Sequence, residues 1–521
     1  MTTEQIEIRR KLKRTWLTFF GRYGKNLPIQ LMTIPHILNS ENVLIISPTA
    51  SGKTEAVVAP LCERFFNEDW RNISILYISP TRALINDLYF RLKDQLQELG
   101  ISISIKTGDR PKFDPNKVPN FLITTPESLD SLLCRHAKSF KNIRAVVLDE
   151  IHLIDNTYRG DQLRVLLKRL EEISDSAFNK YCLSATVSEP EKIGGRYLKD
   201  FKVILSHSKR EIKYTYANSL TEVFKIVKEE HLKKILIFCN KRASVEIISK
   251  ECKSIVGDNF VVVHHGSLSR SVRVEAENFM KESHYGVCVA TMTLEIGIDI
   301  GDIDAIILAE VPLSVISLLQ RIGRGNRRSD ISRVIAIYQL DNEKLILKKM
   351  FEAAIAGQLE FTDYEPDMSV AIQQIFSILY ANPQGVEENY LEKILIELCN
   401  IEELRDILRT LADKEWLEKR YGKWYATEKL MNFGESGNVH SNIPSNEALI
   451  VINIDSKEEI GKVYPPLDDI FLLNGKAWKI ISNINNKVYA KPLHAKVSKT
   501  AFKSYRSQGA FYYLLPKHLQ K

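Results

Sequence analysis

NVLIISPTASGKTEA, residues 42–56, runs from an apolar β-branched strand through a loop of small residues into a helix start that carries SGKT. A strict phosphate-binding loop has Gly six positions before its Lys, where this chain has Ser47, and Ala50 stands inside the loop. The physical requirement is still met. Backbone amides of Thr49, Ala50, Ser51, Gly52, Lys53 and Thr54 can wrap a β-phosphate at a helix N-terminus, Lys53 can reach the β and γ oxygens, and the Thr54 hydroxyl can ligate Mg2+.

Outward from this loop, short apolar runs alternate with helical periodicities. The first set is ISILYIS (73–79), ISISIK (101–106), FLITT (121–125), AVVLDE (145–150) and KYCLSAT (180–186). A second set follows: KKILIFC (233–239), FVVVHH (260–265), GVCVAT (286–291), DAIILAE (304–310) and SRVIAIYQ (332–339). This alternation builds parallel sheets from βαβ units. It predicts an α/β chain with two tandem parallel-sheet domains, residues 1–205 and 206–355, joined near Ser206 to Thr221. Helical patterns then take over and end in the short wing KWYATEKL, which predicts a winged-helix-like domain over 356–432. Turn residues and short strands beyond Gly434 predict a small β-rich domain over 433–521.

LDEIH (148–152) closes a buried strand with two adjacent carboxylates. Phosphoryl hydrolysis needs one carboxylate in the metal shell and another to activate water, and Asp149 and Glu150 supply both at the strand edge where open α/β sheets bind ligands. SAT (184–186) follows the next strand and sets two hydroxyls near the acids. In QRIGRGNRR (320–328), Arg321, Arg324 and Arg327 recur every three residues, predicting a shared helical face. Arginines suit the charge on a transferring γ-phosphoryl group.

Composition fits a globular protein, with 44% hydrophobic and 26% charged residues in a 521-residue chain. No apolar run reaches the ~18–20 residues of a spanning helix, and the N-terminus lacks a signal-peptide pattern, so a cytoplasmic location is expected. The seven cysteines are scattered and never spaced as CxxC, which predicts reduced thiols and no structural zinc. Net charge is +7, yet residues 470–521 hold ten basic residues and no acid, leaving −3 on the first 469. That basic tail, interleaved with Trp478, Tyr489, Phe502, Tyr505, Phe511, Tyr512 and Tyr513, suits either a polyanion with stackable bases or a solvated face.

Together these residues resemble a superfamily 2 helicase of the DExH type. PTASGKT, SPTRALINDL (79–88), TTPESL (124–129), DEIH, SAT, IFCNKR (237–242), ATMTLEIGID (290–299) and QRIGRGNR stand in the order of that superfamily's motifs, and NLPIQLMTIPHIL resembles its adenine-reading Q motif at Gln30. More narrowly, YRGDQLRVLLKRL, LSATVSEPEKI, HHGSLSRSVRVEAE, LADKEWLEKRYGKWYATEKL and IGKVYPPLDDIFLLNGKAWKII are similar to the Lhr (large helicase-related) family. The resemblance implies two tandem RecA-like motor domains with ATP and Mg2+ between them. Gln30, Lys53, Thr54, Asp149 and Glu150 would line one wall, and Gly297, Asp299, Gln320, Arg324 and Arg327 the other. It also implies nucleic acid along Thr81, Arg82, Thr125, Pro126, Asn240, Arg242, Gly266 and Thr291, mainly at phosphates.

The expectation is an ATP-dependent translocase on single-stranded or forked DNA, with 3′ to 5′ direction implied by the resemblance alone, acting as a monomer in genome maintenance. Phosphate contacts do not discriminate the sugar, so an RNA or RNA–DNA hybrid remodeller stays open, as does a motor subunit in defence against foreign DNA. The last two domains would either guide the duplex or brace the motor.

Overall fold

A computed structural model of the chain describes residues 2–48, 51–185, 187–206, 211–295, 300–325, 331–359, 364–443, 449–463, 470–474, 476–484, 487–493 and 509–520. It divides into two compact units: Met1–His207 with Thr362–Ser445 and Arg506–Lys521, and Ser208–Phe361 with Asn446–Tyr505.

The first unit is built on seven strands: β1 (Asn42–Ile46), β2 (Ile75–Ile78), β3 (Ile103–Lys106), β4 (Phe121–Thr124), β5 (Ala145–Leu148), β6 (Asn179–Ser184) and β7 (Phe201–Leu205). They pair in parallel in the order β3-β4-β2-β5-β6-β1-β7. Near-continuous apolar runs are what a sheet covered on both faces demands. Val43, Ile45, Tyr77 and Val147 pack on one side with Trp16, Phe19 and Leu88. Leu44, Leu76, Val146 and Cys182 pack on the other with Leu129, Leu166 and Tyr197. Because every strand runs the same way, the loops after β1, β2, β4, β5 and β6 gather at one edge.

The second unit repeats the plan with β8 (Glu211–Ala217), β9 (Lys234–Phe238), β10 (Val261–His264), β11 (Gly286–Ala290), β12 (Ala305–Leu308) and β13 (Ile331–Ile337). These are also parallel, in the order β10-β11-β9-β12-β13-β8. The two expected sheets are thus present. The second unit begins at Ser208, and EIKYTYA just after that boundary is the edge strand β8, which the sequence reading did not single out. Its alternating polar and aromatic residues leave one face half open, which in sequence reads as a connection.

The winged helix belongs to the first unit. Helices Ser369–Ala381, Glu388–Leu395 and Ile401–Asp413 carry a three-stranded sheet of Val386–Glu387, Leu417–Arg420 and Lys423–Ala426. Helix Ser369–Ala381 packs on helices Pro126–His136 and Tyr158–Ile173 through a buried polar cluster. Arg169 Nη1 donates to Asp130 Oδ1 (2.6 Å), Ser377 Oγ (2.9 Å) and Gln374 Oε1 (3.0 Å). Gln162 Nε2 donates to the His440 carbonyl at 2.9 Å.

A final domain running from 433 to 521 is also redrawn. Helix Glu428–Glu435 and the turn Asn438–His440 stay with the winged helix. Strands Leu449–Asn453, Glu459–Val463, Ile470–Leu473, Lys476–Ile484 and Lys487–Leu493 form a five-stranded sheet in the second unit. Its Val451, Ile460, Trp478 and Val488 join the core of Val261, Val263 and Leu268. At the seam a Cβ on Gly461 would stand 2.2 Å from the Ser267 carbonyl oxygen, so no side chain fits there. The chain then returns to the first unit, where Phe511 packs edge-on against Phe376 and Phe433. Trp478 and Phe511 are therefore core residues rather than surface stacking platforms, and Phe502 and Tyr505 lie outside the described residues.

Candidate functional site

The loop after β1 leads into helix Lys53–Asn67, whose N-cap is Gly52 at φ +85°. A left-handed cap favours glycine, and space demands it, since a Cβ would meet Gln30 Nε2 at 2.5 Å. Gln30 is buried and spans the gap. Its Oε1 accepts the Leu27 N–H (2.8 Å) and its Nε2 donates to the Gly52 carbonyl (3.3 Å). Lys53, only 7% exposed, donates to the carbonyls of Ser47 (2.5 Å), Ser184 (3.1 Å) and Pro48 (3.4 Å). The ammonium is thus held over the mouth of the loop, beside the open N–H groups of the helix start. Such an arrangement of donors suits an anion.

Asp149 and Glu150 follow β5. The Glu150 backbone takes the left-handed conformation (φ 45°), which turns the chain sharply between the two acids, and Glu150 N–H donates to Asp149 Oδ1 at 3.0 Å. Burial and the Glu150 charge push Asp149 up to about 7, while Lys53 pulls it the other way. A crowded, buried carboxylate pair fits a divalent cation, whose charge would relieve the repulsion. Thr54 and Asp149 are the residues able to hold it. His152 Nδ1 accepts the Ala185 N–H (3.1 Å) and lies 3.3 Å from Ser184 Oγ and 3.4 Å from Glu150 Oε2. The acid loop and the segment after β6 are therefore tied together.

Thr81 and Thr125 cap helices Arg82–Glu98 and Pro126–His136 at the same sheet edge, accepting from Leu84 N (3.3 Å) and Ser128 N (3.2 Å). Arg82 pairs with Asp109, and Pro126 takes the first helical position. In the second unit Asn240, Gly266 and Thr291 follow β9, β10 and β11, and Arg242 begins helix Arg242–Val256. The Asn240 amide is committed within the protein, donating to the Val311 carbonyl (2.7 Å) and accepting from Arg321 (2.8 Å). Its backbone N–H is taken by Glu310.

Of the expected arginine face, Arg327 lies outside the described residues, while Arg321 and Arg324 both meet Glu295. Helix Val315–Ile322 ends with Gly323 as its cap, because two glycines within three residues stop it. Gln320 and Arg321 lie on the helix and Arg324 lies beyond it. Buried Glu295 organises the arginines, accepting from Arg321 Nε at 2.6 Å through its carboxylate and from Arg324 Nη2 at 2.7 Å through its carbonyl. Thr49, Ala50, Gly297, Asp299 and Arg327 lie outside the described residues.

Besides Glu295, sequence reasoning passed over two further residues. Arg91 donates to Thr54 Oγ1 at 3.4 Å. Arg159 donates to the Pro80 carbonyl (2.6 Å) and to both carboxylate oxygens of Glu127 (2.6 and 3.2 Å), clamping the Thr81 loop to the Thr125 helix. Their partners lie 37 and 32–79 residues away, so no local spacing signals them.

Comparison with known proteins follows this geometry. The DEAD/DEAH box helicase family matches residues 27–193, and the helicase conserved C-terminal domain matches 217–329. The chain is 30% identical to ATP-dependent helicase Lhr-Core protein 2 of Thermococcus barophilus and 31% identical to ATP-dependent helicase Lhr-Core of Methanocaldococcus jannaschii. Each match covers 94% of this chain, which spans 64% of the relative's length. Among solved structures, Mycobacterium smegmatis helicase Lhr bound to ssDNA and AMP-PNP matches with a TM-score of 0.71 at 23% identity, covering 83% of this chain and 62% of that one. The DUF1998 helicase MrfA bound to DNA matches with a TM-score of 0.77 at 22% identity, covering 95% and 74%.

Proposed function

Because the chain belongs to the DEAD/DEAH-box helicases and is Lhr-Core-like over nearly its whole length, we propose that it is an ATP-driven translocase that tracks single-stranded DNA and unwinds duplexes. The observation that carries this reading is Lys53 held over the helix N-terminus beside Asp149 and Glu150, with Gln30 closing on Gly52. Gln30 orients the base end of ATP. Amides of Thr49, Ala50, Ser51, Gly52 and Thr54 cradle its phosphates, and Lys53 exchanges its carbonyl partners for the β and γ oxygens. Thr54 and Asp149 would hold Mg2+, which supplies charge neutralisation at those oxygens. Glu150 positions and deprotonates the attacking water.

The helicase resemblance assigns Gly297, Asp299, Gln320, Arg324 and Arg327 to the same ATP cycle, in which closure around ATP and reopening after hydrolysis would move one domain along the strand. Thr81, Arg82, Thr125, Pro126, Arg242, Gly266 and Thr291 hold the strand's phosphates, while Asn240 anchors Arg321 and the Val311 carbonyl. One chain supplies both sets, so one chain is the working unit. DNA is favoured because the two solved neighbours described above are DNA-bound. The test is strand separation on duplexes with 3′ or 5′ tails. ATP-dependent unwinding from the 3′ tail is expected, and no unwinding of either duplex would refute the reading. Matched RNA and hybrid duplexes identify the strand that is tracked.

A further inference from the structure

The wing of the winged helix is a tight hairpin in which Arg420 pairs with Lys423, leaving Tyr421 and Gly422 as a two-residue loop. Both have positive φ, 48° and 78°, which is the type I′ geometry that Asn-Gly adopts without strain. A bulky aromatic in the first position is an outlier, and among the described Phe, Tyr and Trp residues only Tyr421 has positive φ. Tyr421 is 99% exposed, the most exposed large apolar side chain among the described residues. Strain of this kind at an exposed tip points to a use outside the fold.

The base of the hairpin is rigid. Glu388 accepts from Arg405 (2.8 Å), Lys419 (3.1 Å) and Trp424 Nε1 (3.3 Å), and the Lys419 ammonium lies 5.0 Å from the Trp424 ring centroid. The ring is therefore carried on a fixed arm. Charge identifies what it meets. Helix Ile401–Asp413, in the position that enters the major groove in winged-helix readers, holds four acids against two arginines. Phosphates would repel it. The hairpin holds Lys419, Arg420 and Lys423 against Glu418; Arg420 and Lys419 pair at the surface with Glu418 and Glu388, exposed pairs that a phosphate can replace. A cationic rim with an aromatic tip is the composition that binds a phosphate backbone and stacks on a base.

We propose that Tyr421 stacks on the terminal base pair at the junction of single-stranded tail and duplex, so that the wing, rather than the acidic helix, meets nucleic acid. This rests on the reading of the chain as a nucleic-acid motor. The full chain and its Tyr421→Asn and Tyr421→Phe variants would be titrated, without nucleotide, against tailed DNA and RNA duplexes carrying 2-aminopurine in the junction pair. Asn-Gly relieves the turn, so Tyr421→Asn should melt no lower than wild type, and lost binding then reflects the ring. Wild type and Tyr421→Phe should change the junction fluorescence. Tyr421→Asn should lose that change and bind the tailed duplex roughly ten-fold more weakly. The duplex type that shows the effect identifies the ligand. Wild-type affinity and fluorescence in Tyr421→Asn would overturn the proposal. Failure of the wild type to bind either duplex would overturn it together with the motor reading, and strand-stimulated ATPase of wild type tells those two failures apart.

Discussion

Arg159 links two segments that each present a helix N-terminus at the sheet edge proposed to bind the strand. Its guanidinium holds the Pro80 carbonyl and the Glu127 carboxylate, and both ion-pair partners are largely buried. Bonds to charged groups contribute about 1.5–3 kcal/mol each, so their loss lets the Thr81 and Thr125 loops drift apart. Arg159→Ala should weaken single-strand affinity on the order of ten-fold while leaving the KM for ATP at saturating strand within about two-fold. Equal loss of both would mean that Arg159 supports the sheet rather than the strand site. The signals legible in sequence were those whose residues are contiguous, SGKT and DEIH; Thr81 and Thr125 were named from motif resemblance, and their capping roles came from the structure. Arg91, Arg159 and Glu295 were not legible, because each acts on a partner that only the parallel crossovers bring near. Asn240 was legible as a position, yet its amide proved to be occupied by Arg321 and Val311.

At the level of elements, the winged helix is fastened by helix Ser369–Ala381 to helices Pro126–His136 and Tyr158–Ile173 around Asp130. Arg169 and His440 are both beside that carboxylate, His440 Nδ1 at 3.6 Å, and together they hold it below the usual carboxylate range despite its burial. Burial opposes the charge on His440, but Asp130 and Cys134 beside it lift the imidazole to about 9. Removing Arg169 leaves a buried carboxylate short of its main counter-charge, so Arg169→Met should cost roughly 3–5 kcal/mol in chemical denaturation. The folded His440 binds its proton more tightly than the unfolded one. Its contribution is therefore complete below about pH 6.5 and fades as pH rises through about 9. His440→Gln should flatten that alkaline decline, and an unchanged profile would show that another group governs it. The periodicity of this helix was readable, but its partner was not. Its Gln373, Gln374 and Ser377 look like a solvent face in sequence and are buried in the structure.

Across the whole molecule, each parallel-sheet domain carries one accessory domain in its own compact unit, and the chain crosses between the units more than once. Sequence order hid this. A basic stretch after residue 470 reads as one tail, whereas apolar side chains sort it, Trp478 and Val488 to the second unit and Phe511, Leu514 and Leu515 to the first. Each accessory domain thus shares buried apolar residues with the parallel-sheet domain of its own unit. The central claim is that ATP hydrolysis at Lys53, Asp149 and Glu150 is driven by a nucleic-acid strand. Steady-state ATPase of wild type and Glu150→Gln, with single-stranded DNA, single-stranded RNA or neither, tests it most directly. Strong stimulation of wild type by DNA, abolished in Glu150→Gln while that variant still binds ATP, is the predicted result, and turnover indifferent to both strands would contradict it.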